Sequence, residues 1–427
     1  MKQAAHDGTA AAAKRKYTPY QRRLLVFLSV ATFFEGYDFV ALVQALPRIV
    51  AEMGLQETDT GLMVSLINIG AILSFFIVYL ADKHGRRPLL MVTIVGYTVC
   101  SLLTGLAGSA WAFIVVQLLA RVFLLGELAV SMVYAAEEFP SDRRGRVIGH
   151  LQVAATLGTI FCAGMTPLLL KSDLGWRAIY FVGAVPLILI AFARRNLRET
   201  ERFKAQQSSA GANGYRELLQ LIKGPYRRRV LVVASVWALT YMCTNSLITF
   251  WNLHAINSLG MTYEAVSKCI MMAALGATPL LFLVGRLLET GRRRAALLTY
   301  GMLFAGAYGC YNLSGVPLLT LSLTVSVFAV AGVVPILNAY TVELFPTELR
   351  ASAYAWCNSL LGRLGFVLSP LLVGWAASRF GYGPAVTATI AFPAIALVLI
   401  LRNLKETAGF SLEQTSQLDP VEERAVA

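Results

Sequence analysis

Stretches of about 20 predominantly apolar residues recur along the whole 427-residue chain. Each is long enough to cross a hydrocarbon core about 30 Å thick. They fall near 24–46, 60–81, 88–108, 110–134, 146–170 and 176–193, and again near 230–253, 264–285, 295–313, 316–341, 352–378 and 384–401. A segment in lipid must satisfy its own backbone, so runs of this length predict helices. Charged residues make up 14% of the chain, against about 25% in soluble domains. The expected fold class is all-α integral membrane, with twelve transmembrane helices.

The net charge of +13 raises nucleic acid as a partner until the charges are located. With the N-terminus in the cytoplasm, most of the 37 Lys and Arg fall on cytoplasmic segments, whereas Arg48, Lys171, Arg177 and Arg379 fall outside. Positive-inside bias sets that orientation, with both termini cytoplasmic. The basic surplus is thus a topology signal with anionic membrane lipid as its neighbour, and no nucleic acid is expected. The first apolar run lacks an A-x-A-like cleavage site and reads as a retained helix.

The six cysteines (100, 162, 243, 269, 310, 357) lie in apolar runs without metal-ligand spacing, so they read as small buried hydrophobes. The four histidines (6, 84, 150, 254) are scattered. The chain carries no HExxH, nucleophile motif or phosphate loop. We expect no enzyme activity, no cofactor and no metal.

Two cytoplasmic phrases match at an offset of 206. In "VYAAEEFPSDRR" and "AYTVELFPTELR", Tyr134, Glu137, Phe139, Pro140 and Arg144 recur as Tyr340, Glu343, Phe345, Pro346 and Arg350. Gly85, Arg86 and Arg87 recur as Gly291, Arg292 and Arg293, and Gly70 recurs as Gly276. The chain reads as a duplicated six-helix unit, with parallel repeats and a site at their interface. Its expected parts are a cytoplasmic N-terminal segment (1–23), an N-terminal bundle (24–193), a cytoplasmic linker (194–229), a C-terminal bundle (230–401) and a cytoplasmic tail (402–427). Within the linker, "YRELLQLIK" reads either as a surface amphipathic helix or as solvated chain.

Ionisable residues at mid-membrane cost at least ~2.5 kcal/mol each on insertion scales and mark functional sites. Glu35 lies about 17 Å along the first run, and Asp38 shares its face three residues on. Arg121 and Arg363 sit at similar depth. Arg121 is a candidate partner for either acid. Arg363 either binds a substrate carboxylate or pairs with a helix dipole or carbonyls near the inner gate. A static buried salt bridge is the alternative to a working site. Glu127 is a second-rank proton candidate on a different face. Tyr37, Tyr241, Asn245 and Asn338 are candidates for substrate contact, by the common pairing of apolar walls with a few polar groups. Pro335 and Gly332 mark a candidate kink.

Several phrases resemble the major facilitator superfamily. "YLADKHGRRPLL" is similar to its loop between helices two and three, at Asp82, Gly85, Arg86 and Arg87. "LRETERF" and "LKETAGFSLEQT" resemble phrases after helices six and twelve in sugar-porter-like members. "ARVFLLGE" resembles the helix-four arginine motif, and "EGYD" resembles the D-G-x-D phrase of aromatic-acid and related metabolite/proton symporters, with Glu35 in place of Asp. The resemblance implies two six-helix bundles with helices one, four, seven and ten lining a central cavity. It also implies a cytoplasmic charge latch, for which the candidates are Asp82, Arg86, Arg87, Glu137, Arg144, Glu343 and Arg350. Topology-setting charge alone is the other reading of those arginines.

An acid beside an arginine favours its charged form, and in drier surroundings its neutral form. Alternating access changes both conditions, which is proton coupling in physical terms. The expectation is an inner-membrane secondary transporter, working as a monomer, that carries a small organic solute with protons. An organic anion, imported, is the preferred version. A sugar or polyol porter, a metabolite or drug exporter and a transporter-like sensor remain open.

Overall fold

The computed structural model describes residues 17–139, 141–194, 221–222, 224–408, 410 and 414–415. Most of the linker with its candidate surface helix, the first 16 residues and the last 12 lie outside the described residues, as do the side chains of Asp82 and Arg144. The described residues form helices and no strands. The first half comprises α1 (Pro19–Met53), α2 (Glu57–His84), α3 (Arg86–Gly105), α4 (Ala110–Glu138), α5 (Ser141–Leu169) and α6 (Arg177–Arg194). The second begins with α7 (Arg227–Thr249), which continues through Trp251–Leu253 into a π-helical turn, His254–Ser258. Then come α8 (Tyr263–Glu289), α9 (Arg292–Asn312) and α10 (Val316–Glu343). The next rod joins Arg350–Tyr354 and a π-helical stretch, Ala355–Leu360, to α11 (Leu364–Phe380). The last joins Tyr382–Ala388 to α12 (Ala391–Asn403).

Among the described residues, nine of these rods are long and apolar enough to cross a membrane. Helices α8 and α9 stand where the sequence placed spans, and α9 is diluted by arginine, glycine and tyrosine. Helices also overrun the predicted boundaries, because polar caps extend them. At α1, Thr18 Oγ1 accepts from Gln21 N and Gln21 Oε1 accepts from Thr18 N, a reciprocal capping box followed by Pro19 at the first turn.

The repeat is built into the packing. Arg86 pairs with Glu137 at 3.1 Å, and Arg292 pairs with Glu343 at 2.7 Å, so both members shift by the same 206 positions. Gly85 (φ 103°) alone, and Gly291 (φ 132°) after Thr290, make the tight turns that feed α3 and α9, where a side chain would be strained. Gly70 lies against Leu118 of α4, and Gly276 lies against Thr324 of α10, again 206 apart.

The halves meet along α2 and α11. A Cβ at Gly61 would fall 2.4 Å from Pro370 O, and one at Gly374 would fall 2.6 Å from Glu57 O. Ser65 donates to Val367 O and Asn68 to Phe366 O. Residue numbers rise on one helix as they fall on the other, so the helices run antiparallel, and the start of α1 and the end of α12 lie on one side of the bundle, called the terminal side below. On the opposite side, Asn252 donates to Gln44 Oε1 and Val43 O, and Lys171 pairs with Glu264. These cross-half bonds cluster between mid-depth and that far side. Polar contacts on the terminal side, such as Gln21–Glu138, Arg86–Glu137 and Arg292–Glu343, join helices of one half.

Candidate functional site

Asp38, from α1, lines a small cavity inside the first half together with Tyr97 and Ser101 of α3, Gln117 and Arg121 of α4, and Tyr180 of α6. Its free volume is about 20 Å³, on the order of one water molecule. Neither Asp38 oxygen meets a hydrogen-bond donor among the described residues, and the hydroxyls of Tyr97 and Tyr180 are equally unpartnered. Buried polar atoms are nearly always paired, so three orphaned groups converging on one cavity mark it. Ser101 donates to Tyr180 O, and Gln117 donates to Thr104 Oγ1, which fixes two of the walls.

Arg121 shares the cavity with Asp38 and feels its field, but the two form no direct ion pair. Its guanidinium carbon lies 5.9 Å from the Phe39 ring, the attractive face of an aromatic. Arg121 also feels Arg363 of the other half. Arg363 sits where the π-helical stretch gives way to α11, with Cζ 5.9 Å from the Phe366 ring and a buried Nε that finds no acceptor among the described residues. Two cations from opposite halves therefore face one region at mid-depth. Tyr241 borders it, stacking edge-on to Phe366 at 4.4 Å and donating to Asn358 Oδ1. Asn358 in turn donates to Tyr354.

The other candidates are distributed more widely. Glu35 is buried one turn from Asp38 and does not line the cavity. Glu127 is buried between α3 and α4, accepting from Thr93 and Ser131. Tyr37 is fully buried, and its hydroxyl donates to Ile179 O, tying α1 to α6. Asn245 donates to Phe366 O. Asn338 keeps a buried Oδ1 without a donor among the described residues. Of the latch candidates, Arg86, Glu137 and Glu343 are in ion pairs within their own halves, while Arg350 donates to the Phe345 carbonyl. Arg87 flanks Arg86 at the start of α3.

Sequence reading missed Tyr97, Ser101, Gln117, Tyr180, Asn358 and Glu406. Gln117 carried a signal: it precedes Arg121 by four residues and so shares its face. The tyrosines carried none, because a tyrosine in an apolar run resembles any core aromatic. Glu406 takes part in the terminal-side cluster. It accepts from the amides of Arg292 and Arg293 at the start of α9, beside the Glu343–Arg292 pair.

The sequence pattern of the Major Facilitator Superfamily matches residues 28–360 and 238–423. The chain belongs to the major facilitator superfamily. The sialic acid transporter NanX of Escherichia coli is 24% identical over 90% of this chain and 95% of its own length. A gallate transporter of Pseudomonas putida is 24% identical over 91% of this chain and 96% of its own. The crystal structure of a D-xylose–proton symporter superposes with a TM-score of 0.72, at 18% identity, covering 92% of this chain and all of the symporter. That likeness shows the fold. This major facilitator protein is thus a multi-pass membrane transporter of small molecules and not an enzyme.

Proposed function

We propose that the protein imports a small organic anion together with protons, as a monomer in the inner membrane with both termini cytoplasmic. The observation that carries this reading is the orphaned Asp38 carboxylate, which shares one small cavity with Arg121 while Arg363 approaches from the other half. Two relatives of this chain are named for acids, sialic acid and gallate.

Each charge has a physical task. Arg121 and Arg363 present guanidinium donors toward the region between the halves, and a carboxylate is their natural acceptor. When the cavity is open to water, hydration and the field of Arg121 together support the ionised Asp38. When a solute carboxylate engages Arg121, Asp38 loses that support inside a nearly dry cavity, where an unpaired charge is expensive. It then takes up a proton. Opening to the other side rewets the cavity, the solute leaves, the field of Arg121 acts on Asp38 again and the proton departs. The terminal-side pairs Arg86–Glu137 and Arg292–Glu343 would set how readily that side opens.

The test is uptake into vesicles containing the purified protein, with an inward proton gradient and a panel of radiolabelled carboxylates, sugars and amines. We expect one or more carboxylates to accumulate above equilibrium and the accumulation to collapse with a protonophore. Gradient-driven accumulation of neutral solutes, with none of the acids moved, would overturn the assignment.

A further inference from the structure

Along α11, Leu364, Leu368, Leu372 and Trp375 are each between 43% and 51% exposed. They recur at helical spacing and so form one stripe. Val367, Pro370 and Gly374, which meet α2, lie on a different face. The stripe therefore looks away from the first half, into the bilayer. Beside it, Leu231, Ser235, Ala238 and Met242 of α7 complete an open fissure against Leu361, Leu364, Gly365 and Leu368. Its floor is tight: a Cβ at Gly365 would lie 2.1 Å from Ala238 O.

Two features of this fissure point to its occupant. From Leu231 to Met242 it runs about 17 Å along α7, close to one leaflet of a core about 30 Å thick. At its terminal-side mouth stand Arg227 and Arg228, both exposed. They precede Leu231 by four and three residues, so they sit over the same helix face. Neither side chain makes an ion pair or hydrogen bond among the described residues.

The geometry points to a built phospholipid site: the α7–α11 fissure holds one acyl chain of an anionic phospholipid, and Arg227 and Arg228 hold its phosphate. An apolar fissure one leaflet long, at membrane depth, meets acyl chains before anything else. The paired arginines add a preference for a lipid with net negative charge over a zwitterionic one. This inference is independent of which solute or ion the protein carries.

Native mass spectrometry of the detergent-purified full chain, titrated with phosphatidylglycerol or phosphatidylcholine of equal chain length, tests it. The wild type should bind one phosphatidylglycerol roughly tenfold or more tightly than phosphatidylcholine. The double variant Arg227→Gln/Arg228→Gln should lose that preference while still binding both lipids. Ser235→Trp, which fills the fissure, should lose the tight adduct altogether, and Leu368→Trp is a second variant if the first folds poorly. Equal wild-type affinity for the two lipids would overturn the site. So would a preference that survives the double arginine variant. A dimer that disappears with Ser235→Trp would overturn it too, by giving the face to a second copy of the chain.

Discussion

Asn68 of the first half donates to the Phe366 carbonyl of the second at 2.9 Å, and Pro370 makes that bond possible. In an unbroken helix, Phe366 O would accept from the amide four residues on, but that residue is Pro370, which has none. The arrangement recurs across the same boundary. Pro47 lies four residues after Val43, and the Val43 carbonyl accepts from Asn252 at 3.2 Å. Each proline exposes a carbonyl on one half, and an asparagine of the other half takes it.

These two clamps hold the side opposite the termini closed. A buried neutral hydrogen bond contributes about 1 kcal/mol, so removing both should shift the closed–open balance by roughly 30-fold. We expect Asn68→Ala/Asn252→Ala to increase the population open on that side. Spin-label distances between the far ends of α2 and α11 check it, and an unchanged distance distribution would count against the clamps.

Asp38→Asn keeps the side chain's size and removes its charge. Uphill accumulation of the solute should be lost, while exchange of labelled for unlabelled solute survives in part. Counterflow and gradient-driven uptake measured on the same vesicles separate the two. Full accumulation by this variant would exclude Asp38 from coupling.

Arg363→Gln should weaken binding of a carboxylate far more than of its neutral amide analogue. A charged hydrogen bond is worth about 1.5–3 kcal/mol, so a loss of roughly 10- to 100-fold is expected for the acid alone. Calorimetric titration of matched acid and amide reads this directly. Equal losses for both would assign Arg363 to the architecture of α11.

Glu406 lies beyond α12, where burial raises its carboxyl but amides of Arg293, Arg292, Ala408 and Thr407 outweigh that and hold it below the usual glutamate value. A depressed folded-state value means stability that is full above the unfolded value, about 4.3, and lost as pH falls through the folded one. Glu406→Ala should therefore cost about 1 kcal/mol near neutral pH, the scale of a helix cap. The gap to wild type should shrink below about pH 4. Thermal melts of both proteins from pH 7 to pH 3 check this, and a gap independent of pH would rule out the carboxylate as its source.

Much of the architecture was legible before any coordinates. Lipid leaves no partner for an open backbone, so apolar runs had to be helices. The offset of 206 became real packing in Arg86–Glu137 and Arg292–Glu343. The cost of mid-membrane charge singled out Glu35, Asp38, Arg121 and Arg363 one residue at a time.

Which of those charges meet was decided by tertiary structure. Three residues separate Glu35 from Asp38, yet only Asp38 lines the cavity with Arg121. That outcome depends on how α1 is rotated against its neighbours. The rotation is set by close packing, as where a Cβ at Gly36 would meet Ala155 O at 2.0 Å and one at Gly158 would meet Phe33 O at 1.8 Å. The pairing of Asn68 with a carbonyl nearly 300 residues away likewise follows from helices brought together by the fold. A sequence states what each helix carries and at what depth. It does not state the rotation of one helix against another, because that is a sum over many small contacts made only once the halves are packed.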